Sequence, residues 1–297
     1  MFMQKPMLHD SSFACSKCGV LLRLAAYFPQ GYYLDVETRC ASCNEKFVFW
    51  NVALNMLKQQ SVLFRNWGAA FIGARQLHFE IQLDPDGTRE VKFSDYGIPE
   101  DAKILYLSYT PTGGVFPIEL HGNQPIRWKT PATISLYGRP IPREEGEERT
   151  GKISIFVTFL SHSPHEHALS NLALAFDAFL RDDYEAMIIP ASVSVEDTMT
   201  QLADDFLIAN KLPILRPSKQ VIREIILPLA CSLKSAPRQR THILALIKEL
   251  WACRDEMAHK GHLDKPLDLE KAAELLCAAI FDVNYFNFIR PQLCEKI

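Results

Sequence analysis

Arg254-Asp255-Glu256-Met257-Ala258-His259 sets a guanidinium, a carboxylate and an imidazole within two turns of one helix. Arginine presents a planar, permanently charged fork that fits phosphate oxygens. Histidine, with an ordinary pKa near about 6.5, exchanges protons at neutral pH. Asp255 can orient either group or shape the pocket around them. Reading back from Arg254, apolar residues recur at Leu250, Ile247 and Ile243, and Met257 follows. At about 100° per residue these lie within roughly 60° of Arg254. A guanidinium in the middle of an apolar stripe is costly without a partner. Its place points to a cleft or a subunit interface. Gly261 ends the helix just after His259.

A second set of residues suits a metal. Cys15-Ser16-Lys17-Cys18 and Cys40-Ala41-Ser42-Cys43 form two tight pairs. Zinc takes four soft ligands in a tetrahedron, and each C-x-x-C turn supplies two. Gly19 and Asn44 follow the two pairs, and both tolerate the positive φ that such a turn needs. Tyr32 to Val36 and Phe47 to Trp50 read as strands, so residues 10–50 resemble a zinc ribbon. The zinc is expected to be structural, because so short a module has almost no core. A redox dithiol is the competing reading, disfavoured by two pairs at ribbon spacing without a βαβ context. Lys17, Arg23, Arg39 and Lys46 are too sparse to prefer nucleic-acid contact over a solvated face. Cys231, Cys253, Cys277 and Cys294 are scattered singly, as small buried hydrophobes are.

The segment Arg254, Asp255, His259 resembles the signature of the HEPN superfamily of helical domains: Arg, then Asn, Asp or His, then three residues, then His. The resemblance covers roughly residues 165–297. It implies a helical bundle whose penultimate long helix ends in the motif, with one more long helix over Leu267 to Phe288. It implies a metal-independent endoribonuclease that cuts RNA by attack of the ribose 2′-OH on the adjacent phosphate, in a defence or toxin setting. One Arg and one His are few for two proton transfers, and the family's remedy is a homodimer lining one cleft with both motifs. Lys234, Arg238, Arg240 and Lys260 are candidates to hold flanking RNA phosphates, with a solvated face as an equal explanation. The same fold also serves as a non-catalytic adaptor for a protein or nucleic-acid partner, including a regulatory protein. Outside this family, the chain reads as a zinc-ribbon interaction protein with a structural helical tail.

The rest of the sequence supplies what must position these groups. In 297 residues, 48% are hydrophobic and 23% charged, enough for two or three cored domains. The net charge of −3 gives no global reason to bind nucleic acid or acidic membranes, so such binding must come from local patches. No apolar run reaches the roughly 18 residues that span a bilayer, and the N-terminus lacks the apolar core of a signal peptide. No membrane partner and a cytoplasmic location are therefore expected. Residues 51–75 read as a short helical connector. Residues 76–160 alternate with period two, as Leu77 to Leu83 does. Further strands are expected at Thr88–Phe93, Lys103–Tyr109, Val115–Leu120, Thr133–Tyr137 and Lys152–Phe159, in an antiparallel sandwich or barrel. Arg143 to Arg149 reads as an exposed hairpin loop. The histidines of Ser161–His167 read as a polar hinge. Beyond Ala168 the pattern is helical, with a first helix ending at Ile189-Pro190, a second from Ser194 to about Lys211 and a third from Pro217 or Ser218 to about Leu233. The fold class expected is multidomain α+β: zinc ribbon 10–50, connector 51–75, β-rich domain 76–160 and HEPN-like bundle 165–297.

Overall fold

The computed structural model describes residues 7–9, 12–23, 37–58, 75–100, 102–111, 113–120, 133–141, 151–160, 166–213, 217–230 and 243–294. The chain is mixed α/β and divides into two compact units, both discontinuous. One joins Met1–Asp10 to Gly73–Pro164; the other joins Ser11–Ile72 to His165–Ile297. The strand expected at Tyr32–Val36, the charged run Arg143–Arg149, Cys231 and most of the 161–167 hinge lie outside the described residues.

The first unit is built from period-two sequence. In β6 (Arg75–Gln82) Leu77, Phe79 and Ile81 are buried and their neighbours are not. β6 is flanked by β1 (Met7–His9) and β11 (Lys152–Leu160), and β11 in turn pairs with β8 (Lys103–Pro111). A second sheet has β7 (Thr88–Lys92), β10 (Thr133–Pro140) and β9 (Val115–Glu119) in that order. Every pairing is antiparallel. Val91, Ile134 and Leu136 of the second sheet belong to the same core as Phe79, Ile155 and Val157 of the first. Each strand expected after residue 75 is present, although β11 also buries Ser154 and Thr158, so its burial does not alternate. The period-two reading missed β1, whose three residues are too few to show a period.

Asp84–Gly87 makes the turn between β6 and β7. Asp86 sits at φ 57° and its carboxylate accepts from Tyr137 Oη at 2.7 Å. Gly151 touches the same region from the other side: its carbonyl accepts from Leu83 N at 2.9 Å. A Cβ at Gly151 would stand 1.7 Å from the Leu83 carbonyl oxygen. That overlap is with backbone, which cannot swing aside. Gly151→Ala is therefore expected to destabilise the β unit by about 2 kcal/mol or more. A thermal melt that does not move would refute this.

The second unit begins with two small hairpins. β2 (Ser12–Ala14) pairs with β3 (Leu21–Arg23), and β4 (Glu37–Arg39) with β5 (Lys46–Val48). The expected strand Phe47–Trp50 is only half strand, because a helix, α1 (Phe49–Lys58), starts at Phe49. α1 is not a free connector. Phe49, Trp50, Ala53 and Leu57 are buried, and the rings of Phe49 and Trp50 each lie 5.5 Å from Phe281. The hairpins and the first part of the 51–75 stretch thus belong to the helical unit.

Six further helical segments follow: α2 (Glu166–Leu180), α3 (Tyr184–Ala209), α4 (Ser218–Val221), α5 (Leu227–Ala230), α6 (Ile243–Lys260) and α7 (Leu269–Cys294). The expected break at Ile189-Pro190 is at Arg181–Asp183 instead. Asp182 takes φ 60°, which aspartate tolerates. The Asp183 carboxylate then caps α3 by accepting from Ala186 N at 3.2 Å. Pro190 lies inside α3, near its start, where its missing N–H removes one hydrogen bond without ending the helix. A π turn, Ile222–Ile226, joins α4 to α5, and Leu227 N donates to the Ile222 carbonyl. Pro228 accounts for it. Its ring and missing N–H exclude a regular bond to the carbonyl four residues back, so the helix widens there.

α7 is the centre of this unit. Its middle, residues 275–283, is buried on all sides, while Phe288 and Pro291 nearer its end are exposed. By length and composition it passes for a membrane-crossing helix, although Glu274 and Asp282 interrupt its apolar run. However, 78% of that window is buried inside the unit, as befits a core helix.

Candidate functional site

The four N-terminal cysteines converge. The Sγ atoms of Cys15, Cys18, Cys40 and Cys43 all lie within 4.8 Å of one another. Cys15 and Cys43 are 3.6 Å apart, and Cys18 and Cys40 3.8 Å. A tetrahedron with metal–sulfur bonds of about 2.3 Å has sulfur–sulfur edges of about 3.8 Å. These separations are far too long for disulfides. Both turns are built alike. Cys15 N donates to Val20 O at 2.9 Å and Gly19 N to Cys15 O at 2.9 Å; Cys40 N donates to Glu45 O at 2.8 Å and Asn44 N to Cys40 O at 2.9 Å. Gly19 has φ 71° and Asn44 φ 59°, as the sequence implied.

The backbone of the first turn favours charge. Amide hydrogen bonds from Cys18 and Lys17 lower the Cys15 thiol to about 6. At Cys43 a backbone bond at Glu45 acts in the same sense, but burial and the neighbouring thiols prevail and push it up to about 12. Four thiols this close cannot all ionise on their own. A bound cation removes that obstacle, so the donor set fits a soft divalent metal.

The Arg254 region lies at the other end of the unit's sequence. α6 buries Ile243, Leu246, Ile247 and Leu250, and Arg254 continues that face one turn later. Its charge is answered within the chain. Nη1 donates to Glu196 Oε2 of α3 at 2.5 Å, while Nε and Nη2 donate to Asp255 Oδ1 at 3.0 and 2.8 Å. The Arg254 side chain is 24% exposed. Its hydrogen bonds to Asp255 and the charge of Glu196 raise its pKa above the ordinary value. Asp255 is lowered in return, by that hydrogen bond and the charges of Arg254 and Lys219 around it. Glu196 holds a second cation: Lys219 Nζ is 2.6 Å from Oε1 and sits 4.1 Å over the Trp251 ring.

His259 is exposed on the last turn of α6, with no hydrogen-bond partner among the described residues. Gly261, at φ 77°, closes that turn by donating to Met257 O at 2.8 Å. Lys260 is engaged by Glu256 at 3.0 Å and Asp264 at 2.5 Å, and these carboxylates raise its pKa. Lys234, Arg238 and Arg240 lie outside the described residues.

Glu196, Lys219 and Trp251 were not singled out in the sequence, although the apolar stripe required a carboxylate partner for Arg254. The acids of α3, among them Glu185, Glu196, Asp197, Asp204 and Asp205, gave no means of choosing one. The partner also removes one reason for placing Arg254 in a subunit interface, since its charge is met without a second copy. Comparison with family models, with curated proteins and with solved structures finds no match.

Proposed function

We propose that this chain cuts RNA without a metal at the scissile bond, as a HEPN-type endoribonuclease whose C-terminal unit is the helical bundle of that family. The observation that carries the reading is the end of α6. There an arginine, an aspartate and an accessible histidine share the last two turns, at the lip of a well-packed helical unit. His259 would take the 2′-OH proton or return one to the leaving 5′-oxygen. Arg254 would stabilise the charge that builds on the phosphorane. Positions five apart on a helix lie about 140° round the axis from each other. One chain therefore presents the two groups in diverging directions, and this supports a two-fold homodimer in which each phosphate meets groups from both copies. Sedimentation at micromolar concentration should show a dimer, and a monomer would count heavily against this arrangement. We further infer that the four thiols hold one structural zinc ion, and that the two sheets of the β unit form a sandwich serving sensing or docking.

The test is incubation of the full chain with mixed RNA in EDTA, followed by end-group analysis. Fragments ending in 2′,3′-cyclic phosphate and 5′-hydroxyl support the reading, whereas DNA should stay intact for want of the nucleophile. A second reading, a non-catalytic adaptor, is favoured by the clamp on Arg254. A phosphate must displace Glu196 or Asp255 before it can use the guanidinium. If no RNA is cut, that ion pair is simply the tie between α3 and α6.

A further inference from the structure

Side chains from α3, α4, the π turn, α5 and α6 line a half-open pocket of about 420 Å³. That falls within the range of small-molecule sites, roughly 300–1,000 Å³. Neither Arg254 nor His259 lines it. Its wall is apolar, made largely by Met199, Ile222, Leu227 and Leu244. The π turn shapes it, since Ile222 and Leu227 are the two ends of the wide hydrogen-bonded turn and both face the space. π turns of this kind are frequent at functional sites.

Trp251 lines the cavity, and its Nε1–H is buried with no acceptor among the described residues. That nitrogen has no accessible surface, so it is the rest of the Trp251 side chain that borders the pocket. Lys219, Arg223 and Lys248 also line the cavity. Lys219 and Arg223 have carboxylates nearby, Glu196 at 2.6 Å and Glu224 at 3.6 Å, whereas Lys248 has no ion pair among the described residues. Three cations beside an apolar hollow suit an anion with an apolar body. A nucleobase fits poorly, because its edges need several hydrogen bonds. Besides its cations the pocket offers Gln220, whose amide already donates to Glu224 at 3.1 Å.

We propose that this pocket binds a small organic carboxylate, its hydrocarbon body against Ile222, Leu227 and Leu244 and its head at Lys248, with Trp251 beside it. The full chain is titrated with dodecanoate, with dodecanol as the uncharged body and acetate as the bare head. Calorimetry is read beside the nitrogen–proton resonance of the Trp251 indole, identified by its loss in Trp251→Phe. Dodecanoate should bind once per chain at about 10–100 µM and shift that resonance, and acetate should do neither. Lys248→Glu changes an exposed residue, so the fold should survive and binding should weaken roughly tenfold or more. Leu244→Trp should fill the space and abolish binding. Dodecanol binding as tightly as dodecanoate, an unmoved indole resonance, no saturation by about 1 mM, or unchanged affinity in Lys248→Glu would each overturn the proposal.

Discussion

His259→Ala is expected to slow RNA cleavage by roughly two to four orders of magnitude, the usual worth of a general acid–base group. His259 is exposed and engaged in no described hydrogen bond, so its removal should leave the melting temperature where it was. Arg254→Ala should cost a comparable factor in rate through loss of charge stabilisation. It should also lower stability by about 1 kcal/mol, because Arg254 ties α6 to α3 through Glu196. Arg254→Lys separates the two effects: it keeps a cation for Glu196 but loses the fork that meets phosphate. Single-turnover cleavage of a labelled RNA, run beside thermal melts of each variant, measures both. Cleavage persisting in the double alanine variant would assign it to another site or a contaminant. Full activity in Arg254→Lys would mean that a point charge suffices.

Removal of the metal should have the other large effect. Protein purified without chelators should contain one zinc per chain, and elemental analysis finding none would sink that assignment. Stripping it, or Cys15→Ser, should open both hairpins and cut their amide protection by about a thousandfold or more. Little else holds them, since three-residue strands bury almost nothing. The loss should stop at α1, because Phe49 and Trp50 are packed on Phe281. Hydrogen exchange should therefore show a sharp boundary near Val48. Exchange spreading into α7 would mean that the ribbon and the helices fold as one cooperative body.

The residues with strict local chemistry were legible from sequence alone. Two C-x-x-C turns with Gly19 and Asn44 behind them declared their geometry and the convergence of their four thiols. Period two marked the strands of the β unit, and Gly261 marked the end of α6. Decisions taken by tertiary packing were not legible. Pro190 looked like a terminator, but near the start of α3 it costs only one hydrogen bond. The true break rests on Asp182 entering a left-handed conformation, which composition does not announce. Phe49 and Trp50 continue a strand-like run, yet they turn helical because α7 offers them a surface. Pro228 was the visible signal for the π turn, and a reading that looked only for helix ends passed over it. Glu196 was hidden for a different reason. Pairing an arginine with one of several acids on a distant helix needs a third dimension.

α1 has a timing consequence. Its Lys58 pairs with Glu270, a separation of 212 residues, and its buried aromatic rings rest on Phe281, farther along still. During synthesis α1 leaves the ribosome long before α7 exists. At the roughly 5–20 residues per second of translation, Phe49 and Trp50 go unpartnered for about ten seconds or more. Meanwhile the β unit, whose strands are all complete by Leu160, can close around β1. The nascent chain thus carries a finished β unit and a greasy helix awaiting its last segment. A premature stop before α7 would leave that helix exposed permanently, and such a truncated product should be recognised by chaperones and proteases rather than accumulate as a partly working protein.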